Sequence, residues 1–165
     1  MFVCLFSYLF TWPNIPSIAV DIACRSPEFS TLCELVAKTE LLDILQTTNQ
    51  YDFTTVFAPT NDAFGRLAPE ILEALNDPDN IDALTNTLLY HIAPEKVMAE
   101  DLECGLKLEM ANSVPSIAVC GNNGTFYQVG NGISPGVNSL PEIVGTEIET
   151  CHGVIHVVDE VLIPE

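Results

Sequence analysis

The chain has 165 residues, 48% of them hydrophobic, which is enough to bury the core of one domain, hardly of two, and too apolar for a disordered chain. Asp and Glu number 23 against 5 Lys and Arg, a formal net charge of -18. The cations Arg25, Lys38, Arg66, Lys96 and Lys107 never adjoin, so the surface repels phosphate. That argues against nucleic acid and anionic membrane as partners, and leaves basic proteins, divalent cations and neutral glycans.

The first segment, Phe2 to Phe10, is a short apolar run. Trp12-Pro13-Asn14-Ile15-Pro16 follows, then Ser17-Ile18-Ala19, which places small residues where a signal peptidase cuts. Residues 1–19 therefore read as a signal peptide, although no Lys or Arg precedes the run, and residues 20–165 as a single exported domain. The run is too short to cross a bilayer, and no membrane insertion is expected once it is removed. Removing it leaves Cys24, Cys33, Cys104, Cys120 and Cys151, an odd number with no C-x-x-C among them. Cys24 and Cys33 bracket a helix start and are expected to pair. Among Cys104, Cys120 and Cys151 one pair is expected and one thiol left over, with all three pairings open.

Ser26-Pro27 reads as a helix start, followed by Phe29, Leu32, Leu35 and Val36 at helical spacing. A second helical stretch runs from Glu40 through Leu41, Leu42, Ile44 and Leu45. Phe53 to Phe57 is β-branched and aromatic, hence a strand that Pro59 should end. Asn61 to Leu75 reads as two short helices broken at Pro69. Asp79 or Asn80 should cap a further helix with the apolar stripe Ile81, Leu84, Leu88, Leu89 and Ile92. From Lys107 onward strands are expected over 107–111, 116–120, 125–129, 142–149 and 153–163, with a hairpin turn at Gly121-Asn122-Asn123-Gly124. Helices first and strands afterwards argue an α+β fold.

Three segments carry a resemblance. Thr55 to Phe64 (TVFAPTNDAF) and Gly153 to Pro164 (GVIHVVDEVLIP) are similar to the two signatures of fasciclin domains, and Tyr90-His91 is similar to the tyrosine–histidine motif between them. The resemblance covers residues 21 to 165. It implies a wedge-shaped β-sandwich of about seven strands with a cluster of short helices. It also implies a secreted or surface-anchored role in cell adhesion and matrix organisation. Family members often act as tandem copies, and some bind integrins.

The signature residues also have physical readings of their own. Thr60 or Asn61 can cap the next helix, and Asp62 sits in its first turn, where the dipole favours an anion. Val154, His156 and Val158 share one face of a strand, and Ile155, Val157 and Asp159 the other, so the strand reads as buried on both sides. Leu89, Tyr90, His91 and Ile92 form the candidate partner surface. With aliphatic neighbours, Tyr90 and His91 read first as elements of the fold and second as a recognition site, and burial should outweigh the helix dipole in setting the His91 pKa.

Catalytic readings are weak. Gly132-Ile133-Ser134-Pro135-Gly136 matches a nucleophile elbow, but Pro135 lacks the N–H that an oxyanion hole needs. His152 and His156 on one strand stand about 13 Å apart and cannot share a metal. Asn76 to Asp82 resembles a calcium loop in composition but lacks its central Gly and its final Glu. No cofactor and no catalytic residue is assigned. Asn123-Gly124-Thr125 is a sequon on the expected hairpin turn, a glycosylation candidate. The reading is a non-catalytic extracellular module that binds a protein, such as an integrin-like receptor, or a matrix glycan. The alternatives are an acidic structural or cation-associated protein and, more weakly, a secreted hydrolase.

Overall fold

In the computed structural model, residues 23–39, 41, 54–130, 140–145, 147–150 and 153–164 are described. The expected signal peptide, the elbow-like loop at Gly132–Gly136, Leu42 to Leu45, Phe53, Cys151 and His152 lie outside them.

A single 3-10 turn, Pro27–Phe29, leads into α1, Ser30–Ala37. Ser26 precedes it in extended conformation but makes no side-chain cap bond. Phe29, Leu32, Leu35 and Val36 are all buried, as their spacing predicts. Strand β1, Thr54–Pro59, is buried at every position. It ends at Pro59, as expected: Pro59 pairs with Val158 as the last residue of the ladder. Helices α2 (Asn61–Gly65) and α3 (Pro69–Asn76) follow, the break falling at Pro69. The next helix starts differently from expectation. The Asp77 carboxylate, not Asp79 or Asn80, accepts from the Asp79 N–H at 2.9 Å and opens the 3-10 turn Pro78–Asn80 that feeds α4, Ile81–Leu89. Ile92 is not on this helix, because the chain turns at Tyr90-His91 and places it in β2, Ile92–Ala93; Ile81 is exposed instead of core.

The remaining strands are β3 (Lys107–Glu109), β4 (Pro115–Cys120), β5 (Phe126–Val129), β6 (Ile148–Thr150) and β7 (Gly153–Val158). Strand β3 is shorter than expected because Met110 to Val114 turns: the Ser113 N–H bonds the Met110 carbonyl at 2.7 Å, and Ser113 is left-handed at φ 64. The expected strand over 142–149 is two pieces. Glu142 and Ile143 make single bridges, Gly145 at φ 89 turns the chain, and β6 follows.

Among the described residues two sheets form, β2-β1-β7-β6 and β3-β4-β5. In the larger, β1 and β7 are parallel while the outer pairs are antiparallel. Its two faces alternate along each strand. Val56, Ala58 and Ile155 pack against Leu32, Phe64, Leu84 and Leu88 of the helices. Phe57 and Val158 point the other way, onto Leu108, Met110 and Leu102 beside the smaller sheet. The segment Pro141–Val144 stitches the sheets together, with the Ile143 N–H bonded to Phe126 O and the Val144 N–H to Val157 O, both at 2.8 Å. The result is an α+β arrangement of two sheets, with helices over the outer face of the larger.

At the start of β7 the Gly153 backbone lies against β1. A Cβ there would stand 1.8 Å from the Thr54 carbonyl oxygen, which is backbone and cannot swing away. Gly153→Ala is therefore expected to destabilise the fold by about 3 kcal/mol, the upper end of the usual cost of overpacking. Urea unfolding of the variant would measure it, and an unchanged midpoint would contradict the tight β1–β7 register.

Candidate functional site

Tyr90 and His91 sit where α4 ends, because the helix supplies apolar positions up to Leu88 and the chain must then reverse into β2. Tyr90 is 1% exposed and His91 3%. The Tyr90 ring belongs to the cluster between the sheets with Phe57, Leu108 and Met110, and its hydroxyl donates to Pro115 O at 3.1 Å. The helix thus reaches past the larger sheet to hold the start of β4.

His91 does more with its backbone and ring together. Its carbonyl accepts from the Phe57 N–H at 2.8 Å. Its Nδ1 lies 2.8 Å from Thr87 O, and its Nε2 accepts from the Leu162 N–H at 3.0 Å. An Nε2 that accepts carries no proton, so the neutral ring holds its proton on Nδ1 and donates it to Thr87. One residue joins β1, α4 and the C-terminal segment. Burial pushes its pKa down to about 4, and the Thr87 carbonyl opposes only part of that.

The other signature residues are spent in the same way. Thr60 Oγ1 accepts from the Ala63 N–H at 3.3 Å and caps α2. Asn61 reaches instead to the beginning of α1: Oδ1 accepts from the Thr31 N–H at 3.0 Å, and Nδ2 donates to Pro27 O at 3.0 Å. It serves α1 as a cap supplied from a distant segment, satisfying a first-turn N–H that Ser26 leaves alone. Asp62 is exposed in the first turn of α2. His156 is buried on β7, with Nε2 2.8 Å from Val97 O and its ring stacked on Phe57 at 5.6 Å. Burial lowers its pKa, against smaller raising effects of the Val97 carbonyl and the Glu147 charge. Asp159 Oδ1 accepts from the Glu142 N–H at 2.8 Å, and Oδ2 pairs with Arg66 at 3.1 Å. Leu89 is partly buried and Ile92 buried.

Cys24 is bonded to Cys33, and Cys104 to Cys120. Asn123 is exposed at the tip of the β4–β5 hairpin, whose ends are tied by the Gly121 N–H to Thr125 O at 2.8 Å.

Three working residues carry no strong signal in the sequence. Thr55 is fully buried, yet its hydroxyl donates to Glu95 O at 2.7 Å and accepts from the Val97 N–H at 2.9 Å, pinning the loop after β2. Arg66 also donates to Asp159 O at 3.0 Å. Leu162 provides the amide that His91 receives. Only the scarcity of cations hints at Arg66; Thr55 and Leu162 fall within the two signature segments, but nothing local marks their bonding roles.

Two sheets, helices over one of them and a buried tyrosine–histidine pair between helix and sheets define a class: α+β modules whose polar signature residues largely serve as joints between segments. The chain belongs to the fasciclin domain family, which it matches over residues 27–164. It is 32% identical over 145 residues to protein sll1483 of Synechocystis sp., covering 88% of this chain and 72% of that one. It is 34% identical over 139 residues to transforming growth factor-beta-induced protein ig-h3 of Sus scrofa, covering 83% of this chain and 18% of that protein. Human periostin is 32% identical over 141 residues, 85% of this chain and 15% of its own length. The fold is that of the FAS1 domain pair from the insect cell adhesion molecule fasciclin I, with a TM-score of 0.59 at 16% identity, over 82% of this chain and 45% of that one. The chain thus spans a small part of several of its relatives.

Two outcomes follow from the geometry. Tyr90→Phe keeps the ring and loses the bond to Pro115 O, and should cost about 1 kcal/mol in chemical unfolding. Acid should cost more. The His91 pKa falls from 6.5 in the open chain to about 4 in the fold, so the unfolded chain binds this proton more readily. The stability is fully present above pH 6.5 and is lost as pH falls toward 4, on the order of 3 kcal/mol from this residue alone. Unfolding free energies at pH 7 and pH 4.5 measure it, and equal values would refute the buried neutral imidazole.

Proposed function

We propose that this domain is an extracellular adhesion or matrix-associated binding module, exported after removal of residues 1–19 and acting without catalysis through protein or glycan contacts. The observation that carries this reading is membership of the fasciclin domain family across residues 27–164, together with a fold shared with a cell adhesion molecule. Among the described residues no helix is long and apolar enough to cross a membrane.

The geometry supports a particular division of labour. Tyr90, His91 and Ile92 face inward and serve the fold, so partner contacts fall on the exposed acidic surface. A contact-mediated module and one that works by bulk charge differ in their response to salt. Bulk-charge binding collapses between 50 and 500 mM salt, beyond the range of screened surface charges, and ignores single substitutions.

The deciding experiment captures partners of the purified domain from extracellular extract, and measures melting and binding on the same variants. Tyr90→Phe is expected to melt slightly lower and to bind as wild type. A variant that melts normally but loses binding would instead make Tyr90 a contact. In the same exported material Asn123 is proposed to carry an N-linked glycan, since its turn is exposed. Endoglycosidase should shift the wild type and leave Asn123→Gln unchanged; wild type that is secreted but does not shift refutes the glycan alone.

A further inference from the structure

The C-terminal segment after β7 is held in an unusual manner. Strand β7 ends at Val158, and Asp159 fixes the next turn through the Glu142 N–H and Arg66. Beyond it the chain leaves the sheet, yet Val161 and Leu162 are 0% and 1% exposed. The Leu162 amide does not find a neighbouring strand carbonyl. Its acceptor is an imidazole nitrogen, Nε2 of His91. Val161 packs into the helix-side cluster and Leu162 into the cluster between the sheets, so this short segment plugs both.

The joint works only with one protonation state. Nδ1 is committed to Thr87 O, and Nε2 must offer a lone pair to Leu162. A second proton on the ring goes to Nε2 and sets two donors face to face at the present 3.0 Å. Among the described residues the charge would also have no counter-ion at the ring. The side chains that line the small cavity beside His91 are Leu32 and Val36 of α1, Leu41, Val56 and Phe57 of β1, Leu88 of α4 and Ile92 of β2, none of them charged. On the tail the charged groups are Asp159 and Glu160, and Arg66 stands 3.1 and 3.9 Å from their carboxylates. Thr87 offers only its carbonyl.

We propose that His91 is an acid-sensitive latch: protonation of Nε2 releases the segment Glu160–Ile163 from the end of α4, pivoting at Asp159, while the β1–β7 pair stays formed. Release uncovers Val161, Leu162 and the end of the cluster between the sheets, a surface that is closed at neutral pH. The inference concerns how the domain responds to acid and holds whatever the domain binds. The depressed pKa of His91 agrees with it, because the proton is taken up more readily in the open form.

Residue-resolved amide hydrogen exchange between pH 6 and pH 4.5 tests it on the intact chain. Protection of the Leu162 amide is expected to fall about tenfold per pH unit, and to lie at least about tenfold below that of Val56 and Ile155 throughout. In His91→Gln, whose side-chain oxygen can still accept from Leu162 but does not titrate in this range, the Leu162 protection should be flat with pH. Equal protection of Leu162, Val56 and Ile155 at every pH would mean global unfolding and overturn the latch. So would the same pH slope in the glutamine variant. If that variant does not fold, the wild-type comparison of tail and central strands decides by itself.

Discussion

The parallel pairing of β1 with β7 is the constraint on which the rest depends. Its six residue pairs bring together segments roughly a hundred residues apart, and closing so long a loop costs entropy before any contact repays it. Both strands are buried on both faces, so the repayment is large: one face seats the helices, the other the smaller sheet. Strands buried in this way cannot leave backbone groups unpaired, which is why their flanks are crowded with polar joints. Thr55 serves the loop after β2, Thr60 caps α2, His156 holds Val97 O, and Asp159 receives the Glu142 amide.

This gives a physical meaning to the polar residues of the family's signatures. Asn61 shows it most directly. It follows the capping residue of its own helix and would be redundant there, but its amide faces the open first turn of α1 and satisfies it from outside. His91 has the same logic for the C-terminal segment, standing in for a carbonyl that no strand supplies. The cost of using a titratable ring as an acceptor in an apolar place is sensitivity to acid, because the ring can fill that role only while neutral.

Much of the fold was legible because periodicity and turn chemistry are local. The α1 stripe, the break at Pro69, the two-sided burial of β7 and the β4–β5 hairpin all come from residue types within a few positions of one another. The misses were local patterns overruled by the tertiary setting. Ile92 continues the stripe of α4 in register, yet the helix ends at Leu89 so that β2 can pair with β1. Pro59, by contrast, ends β1 as its residue type predicts, closing the ladder opposite Val158 where it needs no N–H. A run that reads as one strand over 142–149 breaks at Gly145 because its first half is needed to stitch the two sheets. At the site, the neighbours of Tyr90 and His91 marked them as interior. Their partners Pro115 and Leu162 were invisible, since they lie 25 and 71 residues away.

The order of β1 and β7 along the chain also sets a schedule. During synthesis β1 emerges early; β2 can pair part of one edge soon after, but the edge that receives β7 stays uncovered until nearly the whole domain has been made. The antiparallel hairpins β3–β4 and β4–β5 can close meanwhile, since their partners are near neighbours. The larger sheet cannot be completed until β7 arrives. A nascent chain of this design therefore spends most of its translation time with a sticky strand edge exposed, and would depend on chaperones more than its modest size suggests.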